Sequence, residues 1–149
     1  MINEKFVKRK IALIQNELEH LMPLASYSFN EIAKDFMKQA AMERFLERVI
    51  NRAIDLNQHI IAELADRKME PPLTYKKTFL ILADLGIYPQ DFARSIGKSA
   101  GTRNVLVHDY DEADQEEVYA SVSDCLKDYT QYCDYILKFL EKSESLKKS

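Results

Sequence analysis

The stretch 118–139, VYASVSDCLKDYTQYCDYILKF, decides the fold class, because its apolar residues recur at alternating steps of four and three. The positions that share this spacing are Val118, Val122, Cys125, Tyr129, Tyr132, Ile136 and Phe139. Such a heptad seam over three repeats is typical of a helix that packs nearly antiparallel to its neighbours in a bundle. The acidic segment 111–117 suits the first turns of this helix, which we expect to end near Lys142.

A longer apolar pattern lies upstream of this seam. Ser28 and Glu31 form the S-x-x-E pattern of a capping box, and the helix that they open is predicted to run to about Arg67. Two neighbouring apolar stripes follow along it, one of Val49, Ala53, Leu56, Ile60 and Leu64, the other of Leu46, Ile50, Ile54 and Ile61. A face this broad can contact two partner helices, or one helix and a second subunit.

Shorter patterns flank the long helix. Apolar residues at steps of three and four predict a first helix over about 3–22, which Pro23 ends. A short helix is predicted over 74–85, because its first residue is a good N-cap and Gly86 occupies the position of a left-handed C-cap. The next helix is predicted to begin with Pro89 in its first turn and to end at about residue 108 or 110.

The composition agrees with an all-α bundle of four or five helices. The 149 residues are 46% apolar and include only three Gly and four Pro, which argues against collagen-like and multi-hairpin β architectures. The net charge of −3 excludes a strongly basic, generic nucleic-acid binder. We predict one helical domain over 1–142 and a polar, frayed tail over 143–149. Because no apolar run approaches the roughly 18 residues of a membrane helix and no signal-peptide core opens the chain, we expect a cytoplasmic protein.

The cysteines and histidines predict neither a disulfide nor a metal site. Cys125 and Cys133 lie about 12 Å apart along one helix, whereas a disulfide needs Cα atoms within about 7 Å. His59 is four residues from both Asp55 and Glu63, but no further ligand is evident there. We therefore expect no metal and no cofactor.

The segment 92–108 stands apart, because no acidic residue interrupts it in a chain that is acidic as a whole. Its basic residues are Arg94, Lys98 and Arg103. Gly97 and Gly101 lie four residues apart inside the predicted helix, where each costs about 1 kcal/mol relative to alanine. Either another backbone or a phosphate approaches closely here, or the helix kinks or breaks.

This segment leads into RNVLVHDY, residues 103–110, which gathers a cation, an amide, an imidazole and a phenol. On a helix, Asn104 and His108 share one face, and Arg103 and Tyr110 share another if the helix reaches that far. An Arg fork matches phosphate oxygens, and a His moves protons near neutral pH. The pair suits metal-free cleavage of RNA, in which His108 takes a proton from the 2′-OH or gives one to the leaving oxygen, and Arg103 stabilises the charge on the phosphate.

The string Arg103-Asn-x-x-x-His108-x-Tyr110 resembles the R-x4-H-x-Y motif of the HEPN superfamily. Over most of the chain, length and helix order resemble its HepT toxin branch, encoded beside a minimal nucleotidyltransferase antitoxin of the MNT (MntA) type. The resemblance implies a HEPN-like bundle and a homodimeric, metal-independent RNase whose two motifs face one cleft. It makes Arg103 and His108 the catalytic pair and Asn104 the supporting, RNA-binding residue. Tyr110 becomes the residue that the antitoxin modifies with AMP.

Each motif residue also has a plainer interpretation. His108 could be present because the helix dipole favours a His at a C-terminus. Arg103 could pair with Asp109 or Asp111, and Tyr110 could pack under the next helix. The chain would then be a non-catalytic nucleotide-binding, RNA-binding or protein-interaction module that associates through its apolar stripes.

A basic ladder on the long helix has two interpretations as well. Arg44, Arg48 and Arg52 recur every four residues and could extend a phosphate track. The neighbouring Glu43 and Glu47 favour an ordinary salt-bridged surface instead.

Overall fold

The computed structural model describes residues 2–65, 69–108 and 112–148. These residues form seven α-helices and one 3₁₀ helix, without a strand. In chain order the elements are α1 (Glu4–Leu21), the 3₁₀ helix (Met22–Ser26), α2 (Phe29–Lys34), α3 (Phe36–Leu64), α4 (Tyr75–Asp84), α5 (Gln90–Gly97), α6 (Ser99–Val107) and α7 (Glu112–Lys148). The all-α prediction is confirmed. The helices outnumber the predicted four or five because two predicted helices are each divided.

The heptad seam of α7 lies in the core as predicted, up to its last position. Phe139 is only half-buried, and Leu140, four residues after Ile136, takes the final buried place. The helix also continues to Lys148 rather than ending near Lys142. Leu, Glu and Lys in the last turns are good helix formers, and Glu144 pairs with a lysine of α1 across 3.6 Å.

The broad apolar face of α3 is covered within the chain. Its two stripes are buried except for Leu64 at the end of the helix, which is 39% exposed. Helices α1, α4, α6 and α7 all pack against α3. The face therefore contacts partner helices of the same chain. The stripes do not indicate association with another protein. No helix in the described part of the chain is long and apolar enough to cross a membrane.

The single helix predicted from Ser28 to about Arg67 is wrong, because the chain breaks at Asp35. Ser28 and Glu31 do form the predicted capping box, but they open only the short α2. The Asp35 backbone is extended, and its carboxylate accepts hydrogen bonds from the backbone N–H groups of Met37 and Lys38. A side chain that can cap a new helix competes with the helix that it would otherwise continue. The new helix, α3, ends at Leu64.

The turn after α4 has the predicted left-handed glycine. Gly86 has φ +82°, and its N–H donates to the carbonyl of Ala83 at 2.9 Å. The N–H of Ile87 reaches back to the carbonyl of Leu82 at 3.0 Å, which completes a Schellman motif. The helix that follows begins at Gln90, with Pro89 as its N-cap rather than inside its first turn.

The predicted helix from Pro89 onward is also divided, and the division explains the glycine at position 97. Helix α5 ends at Gly97 and α6 begins at Ser99. On both sides of Lys98 the backbone hydrogen bonds join residues three apart, instead of the four of an α-helix. The Ser99 hydroxyl donates to the carbonyl of Ile96 at 2.7 Å, which takes that oxygen out of the helical pattern. A Cβ at Gly97 would meet the Lys76 side chain at 3.4 Å, an ordinary contact. The break is confirmed at this glycine.

The arginine ladder of α3 forms ion pairs as predicted, but two of its three arginines pair with an acidic residue of α1 and not with the neighbouring glutamates. The buried carboxylate of Glu17 on α1 lies 3.1 Å from the guanidinium of Arg52 and 3.5 Å from that of Arg48. Arg44 lies 3.7 Å from Glu47. The ladder thus ties α1 to α3 and forms a salt-bridged surface.

Candidate functional site

Helix α6 carries the motif and packs against α3, α4, α5 and α7. Arg103 is half-buried, whereas Asn104 and His108 are exposed. The helix ends at Val107, and His108 follows as an extended C-cap residue whose N–H donates to the carbonyl of Asn104 at 3.3 Å. Helix α6 therefore does not extend as far as residue 110. Tyr110 itself lies outside the described residues.

Two residues that the sequence did not point to hold the Arg103 side chain. Its Nε donates a hydrogen bond to the carboxamide oxygen of Asn51 on α3. Its guanidinium carbon lies 4.7 Å from the ring centroid of Tyr75 on α4, a cation–π contact. The suggested partners Asp109 and Asp111 lie outside the described residues. Arg103 is thus anchored to both neighbouring helices.

A buried chain of hydrogen bonds fixes the helix turn that carries Tyr75. The Tyr132 hydroxyl on α7 donates to the Asn57 side chain at 2.6 Å, and the Asn57 amide donates to the Thr78 hydroxyl at 3.1 Å. Thr78 in turn donates to the backbone carbonyl of Tyr75 at 2.6 Å. Asn57, Thr78 and Tyr132 are all buried. This chain of hydrogen bonds therefore links the core to the backbone of Tyr75, which supports Arg103.

A groove of about 380 Å³ opens beside Asn104, between α3, α4 and α6. Its lining consists of Gln58, Pro72, Leu73, Thr74, Tyr75, Thr78 and Asn104. None of these side chains is charged, although basic residues lie nearby at positions 76, 77 and 103. The site thus combines a cationic point at Arg103 with a neutral, partly aromatic groove.

Gly101 points into open space on the same helix. Apart from its chain neighbours and the backbone of its own helix, a Cβ at this position would have no atom of the described chain within 4 Å, in contrast to Gly97. Close approach by the described part of the chain therefore does not explain this glycine. The explanation that is left from the sequence analysis is close approach of a group from outside the chain, such as a phosphate or the backbone of a second subunit.

His59 and the two cysteines have structural roles. His59 accepts a hydrogen bond from the backbone N–H of Asn3 at 3.2 Å and packs on the ring of Phe6. Both cysteines are free and buried, and burial raises the pKa of Cys125 and Cys133 to about 12, so neither supplies a thiolate. Within residues 2–65, 69–108 and 112–148, no three His, Cys, Asp or Glu residues form a potential metal site.

Comparison with known proteins identifies the family. Residues 14–136 match the family model described as ribonuclease HepT-like. The chain belongs to this HepT-like family. The HepT-like chain is 31% identical over 139 residues to the tRNA nuclease HepT of Aphanizomenon flos-aquae, which covers 93% of this chain and 92% of the relative. It is 27% identical over 127 residues to the mRNA nuclease HepT of Shewanella oneidensis, covering 85% and 92% of the two chains.

A solved structure supports the same assignment. The tri-AMPylated HEPN toxin of Shewanella oneidensis, solved in complex with its MNT antitoxin, superposes on the HepT-like chain with a TM-score of 0.76. The two are 26% identical, and the match covers 91% of this chain and 98% of the toxin. The resemblance to the HEPN superfamily and the HEPN-like fold are thereby confirmed.

Proposed function

We propose that this HepT-like chain is the endoribonuclease toxin of a toxin–antitoxin pair, and that it cleaves RNA with Arg103 and His108 and without a metal ion. The observation that carries the proposal is that one motif residue is held in place and the other is open to solvent. Arg103 is held by Asn51 and Tyr75, while His108 projects from the end of the same helix as an exposed residue. Family membership and relatives named as nucleases support the same activity.

The chemistry follows from what the two side chains can do. The 2′-oxygen of the RNA attacks phosphorus, the bond from phosphorus to the 5′-oxygen breaks, and a 2′,3′-cyclic phosphate and a 5′-hydroxyl form. His108 either accepts the proton of the 2′-OH or donates one to the 5′-oxygen, and solvent water carries the other proton. Arg103 donates to the non-bridging oxygens, whose negative charge grows in the transition state. Because RNA brings its own nucleophile, neither a metal-bound hydroxide nor a cofactor is needed.

The proposed active form is a homodimer. One Arg and one His per chain make a sparse catalytic set, and a two-fold axis would bring two sets to one cleft. We expect sedimentation to show a dimer at concentrations at which the protein cleaves RNA. A fully active monomer would contradict this part of the proposal.

The proposed partner is an MNT-type nucleotidyltransferase that transfers AMP to Tyr110. Support comes from the Shewanella toxin, which was solved AMPylated and bound to its MNT antitoxin. An adenylyl group two residues after His108 would add bulk and negative charge where an RNA phosphate must bind. We propose that toxin and antitoxin meet in the cytoplasm, where cellular RNA is accessible.

The test is cleavage of defined tRNA and mRNA fragments in EDTA, with protein whose intact mass excludes AMPylation. We expect wild type to leave 2′,3′-cyclic phosphate ends and His108→Ala to lose at least about 100-fold in rate. His20→Ala is the matched control, because His20 is an exposed histidine at the end of α1. No cleavage by unmodified, dimeric wild type would favour a non-catalytic binding module.

A further inference from the structure

The groove beside Asn104 has the size and the opening of a small-ligand site. Its volume of about 380 Å³ lies within the range of small-molecule pockets, roughly 300–1,000 Å³. The polar group at the floor of the groove already has hydrogen-bond partners within the protein, because the buried Thr78 hydroxyl donates to the carbonyl of Tyr75 and accepts from Asn57. The exposed walls are therefore the surfaces that remain available to a ligand.

The lining suits a flat, neutral, partly polar ligand. Leu73 is 94% exposed, and Tyr75 keeps 40% of its surface exposed although Arg103 lies over its ring. Exposed amides stand on two walls, Gln58 on α3 and Asn104 on α6, and each offers donors together with an acceptor. A nucleobase has this combination of stacking faces and a mixed donor and acceptor edge.

The groove is continuous with the proposed catalytic centre. Tyr75 lines the groove and at the same time supports the Arg103 guanidinium at 4.7 Å, and Asn104 is the next residue in the chain. A phosphate bound to Arg103 would therefore have its attached nucleoside beside the mouth of the groove. The base must be unpaired to enter, because pairing in a duplex hides its edge and both its faces.

We propose that this groove is a nucleobase subsite that holds one unpaired base of the RNA next to the cleaved phosphodiester. The inference rests on the proposed function and deepens it, because it makes the substrate single-stranded RNA at the point of cleavage. Leu73 and Tyr75 supply the apolar contact, and Gln58 and Asn104 contact the edge of the base.

Binding to a non-cleavable RNA tests the subsite without requiring activity. A 2′-O-methyl oligonucleotide would be titrated into the dimeric wild-type protein, with 2-aminopurine moved through it one position at a time. Base stacking on protein side chains changes affinity by roughly 5- to 150-fold. We expect fluorescence quenching concentrated at one position, and about tenfold weaker binding when that nucleotide is made abasic.

A thermodynamic cycle assigns the effect to the groove. Leu73→Ser and Gln58→Ala should each weaken the intact oligonucleotide about fivefold or more, and should weaken the abasic one by less than twofold. Met37→Ser is the matched control, because Met37 is 76% exposed at the start of α3 and does not line the groove. Equal losses for intact and abasic oligonucleotides, or no position that depends on its base, would overturn the subsite.

Parallel cleavage of unmodified RNA separates the two proposals. Cleavage by wild type without any base-dependent position would refute the subsite and leave the proposed function standing. Base-dependent binding by a wild-type protein that does not cleave would refute the proposed function and leave the groove as a binding site for an unpaired base without cleavage.

Discussion

The heptad seam of α7 and the motif end of α6 place their polar side chains in opposite environments. In α7, the rings of Tyr129 and Tyr132 are fully buried, and both hydroxyls bond to residues of other helices. At the end of α6, Asn104 and His108 face solvent, and Gly101 leaves a space that nothing in the described chain fills. One region satisfies its polar groups internally, and the other presents them to the outside.

The difference separates stability from function within 149 residues. Burying an aromatic side chain with a satisfied hydroxyl stabilises the fold. Exposed polar groups beside an anchored arginine contribute little to stability. Binding of a ligand would explain why they are arranged in this way. Substitutions in α7 should therefore act on unfolding, and substitutions at the end of α6 should act on RNA cleavage.

The largest expected effect comes from truncating one tyrosine of the α7 seam and, for comparison, the tyrosine of α4 that supports the motif arginine. Tyr129→Ala should lower the free energy of unfolding by about 3–5 kcal/mol, because it removes a buried ring and leaves the Ser99 hydroxyl without that partner. Tyr75→Ala should lower it by about 1 kcal/mol at most, yet reduce cleavage at least about tenfold by releasing Arg103. Urea unfolding and cleavage rates measure both. Equal stability losses would erase the distinction.

The second effect depends on pH and belongs to α7. Burial raises the pKa of Cys125 and Cys133 from 9 to about 12, so the folded state keeps both thiols protonated where the unfolded state ionises. This contribution is complete below about pH 9 and is lost as pH rises toward 12, by about 2 kcal/mol per thiol near pH 10.5. In urea unfolding across this range, Cys125→Ala/Cys133→Ala should show a shallower decline above pH 9. An unchanged decline would contradict the assignment.

The third effect isolates the anchoring of Arg103. Asn51→Ala removes the acceptor for Nε, and we expect the cleavage rate at saturating RNA to fall about tenfold, equivalent to about 1.4 kcal/mol. Asn30→Ala, at an exposed asparagine of α2, is the matched control and should cleave like wild type. Single-turnover kinetics check both. An Asn51→Ala protein with the wild-type rate would show that this bond does not position the arginine for catalysis.

The smallest effect concerns Gly101. Gly101→Ala should raise the free energy of unfolding by up to about 1 kcal/mol, because alanine favours the helix and its Cβ meets no atom within 4 Å. If RNA or a second subunit approaches this face, cleavage should fall although stability rises. Thermal unfolding and cleavage assays on the same sample decide it, and a loss of stability would contradict the open space.

Periodicity predicted the core because burial leaves a regular trace in the sequence. The seam of α7 and the stripes of α3 were found in this way, apart from their ends at Phe139 and Leu64. The break at Asp35 was missed, and the break at Lys98 was predicted only as one of two explanations for the glycines, since each break depends on a side chain that competes with the helix for hydrogen bonds. The spacing of apolar residues carries no information on that competition.

Sequence alone points to the candidate site only where it is local in the chain, and the roles of its residues stay predictions. Arg103, Asn104, His108 and Tyr110 were identified from one short motif. Asn51 and Tyr75, which hold Arg103, lie on other helices, and nothing in their neighbourhoods marks them. A polar residue beside the apolar stripes of α3 and an aromatic residue after the Thr74 cap are weak signals that acquire meaning only once the helices are packed.

The most direct test of the account is a double-mutant cycle on Arg103 and His108. Single-turnover cleavage in EDTA would be measured for wild type, Arg103→Ala, His108→Ala and the double variant, with unfolding free energies in parallel. Two residues that act as one catalytic unit should each lose at least about 100-fold, and the double variant should lose little more than the worse single variant. Single variants that cleave like wild type, or losses that follow unfolding rather than chemistry, would contradict the assignment of catalysis to the end of α6.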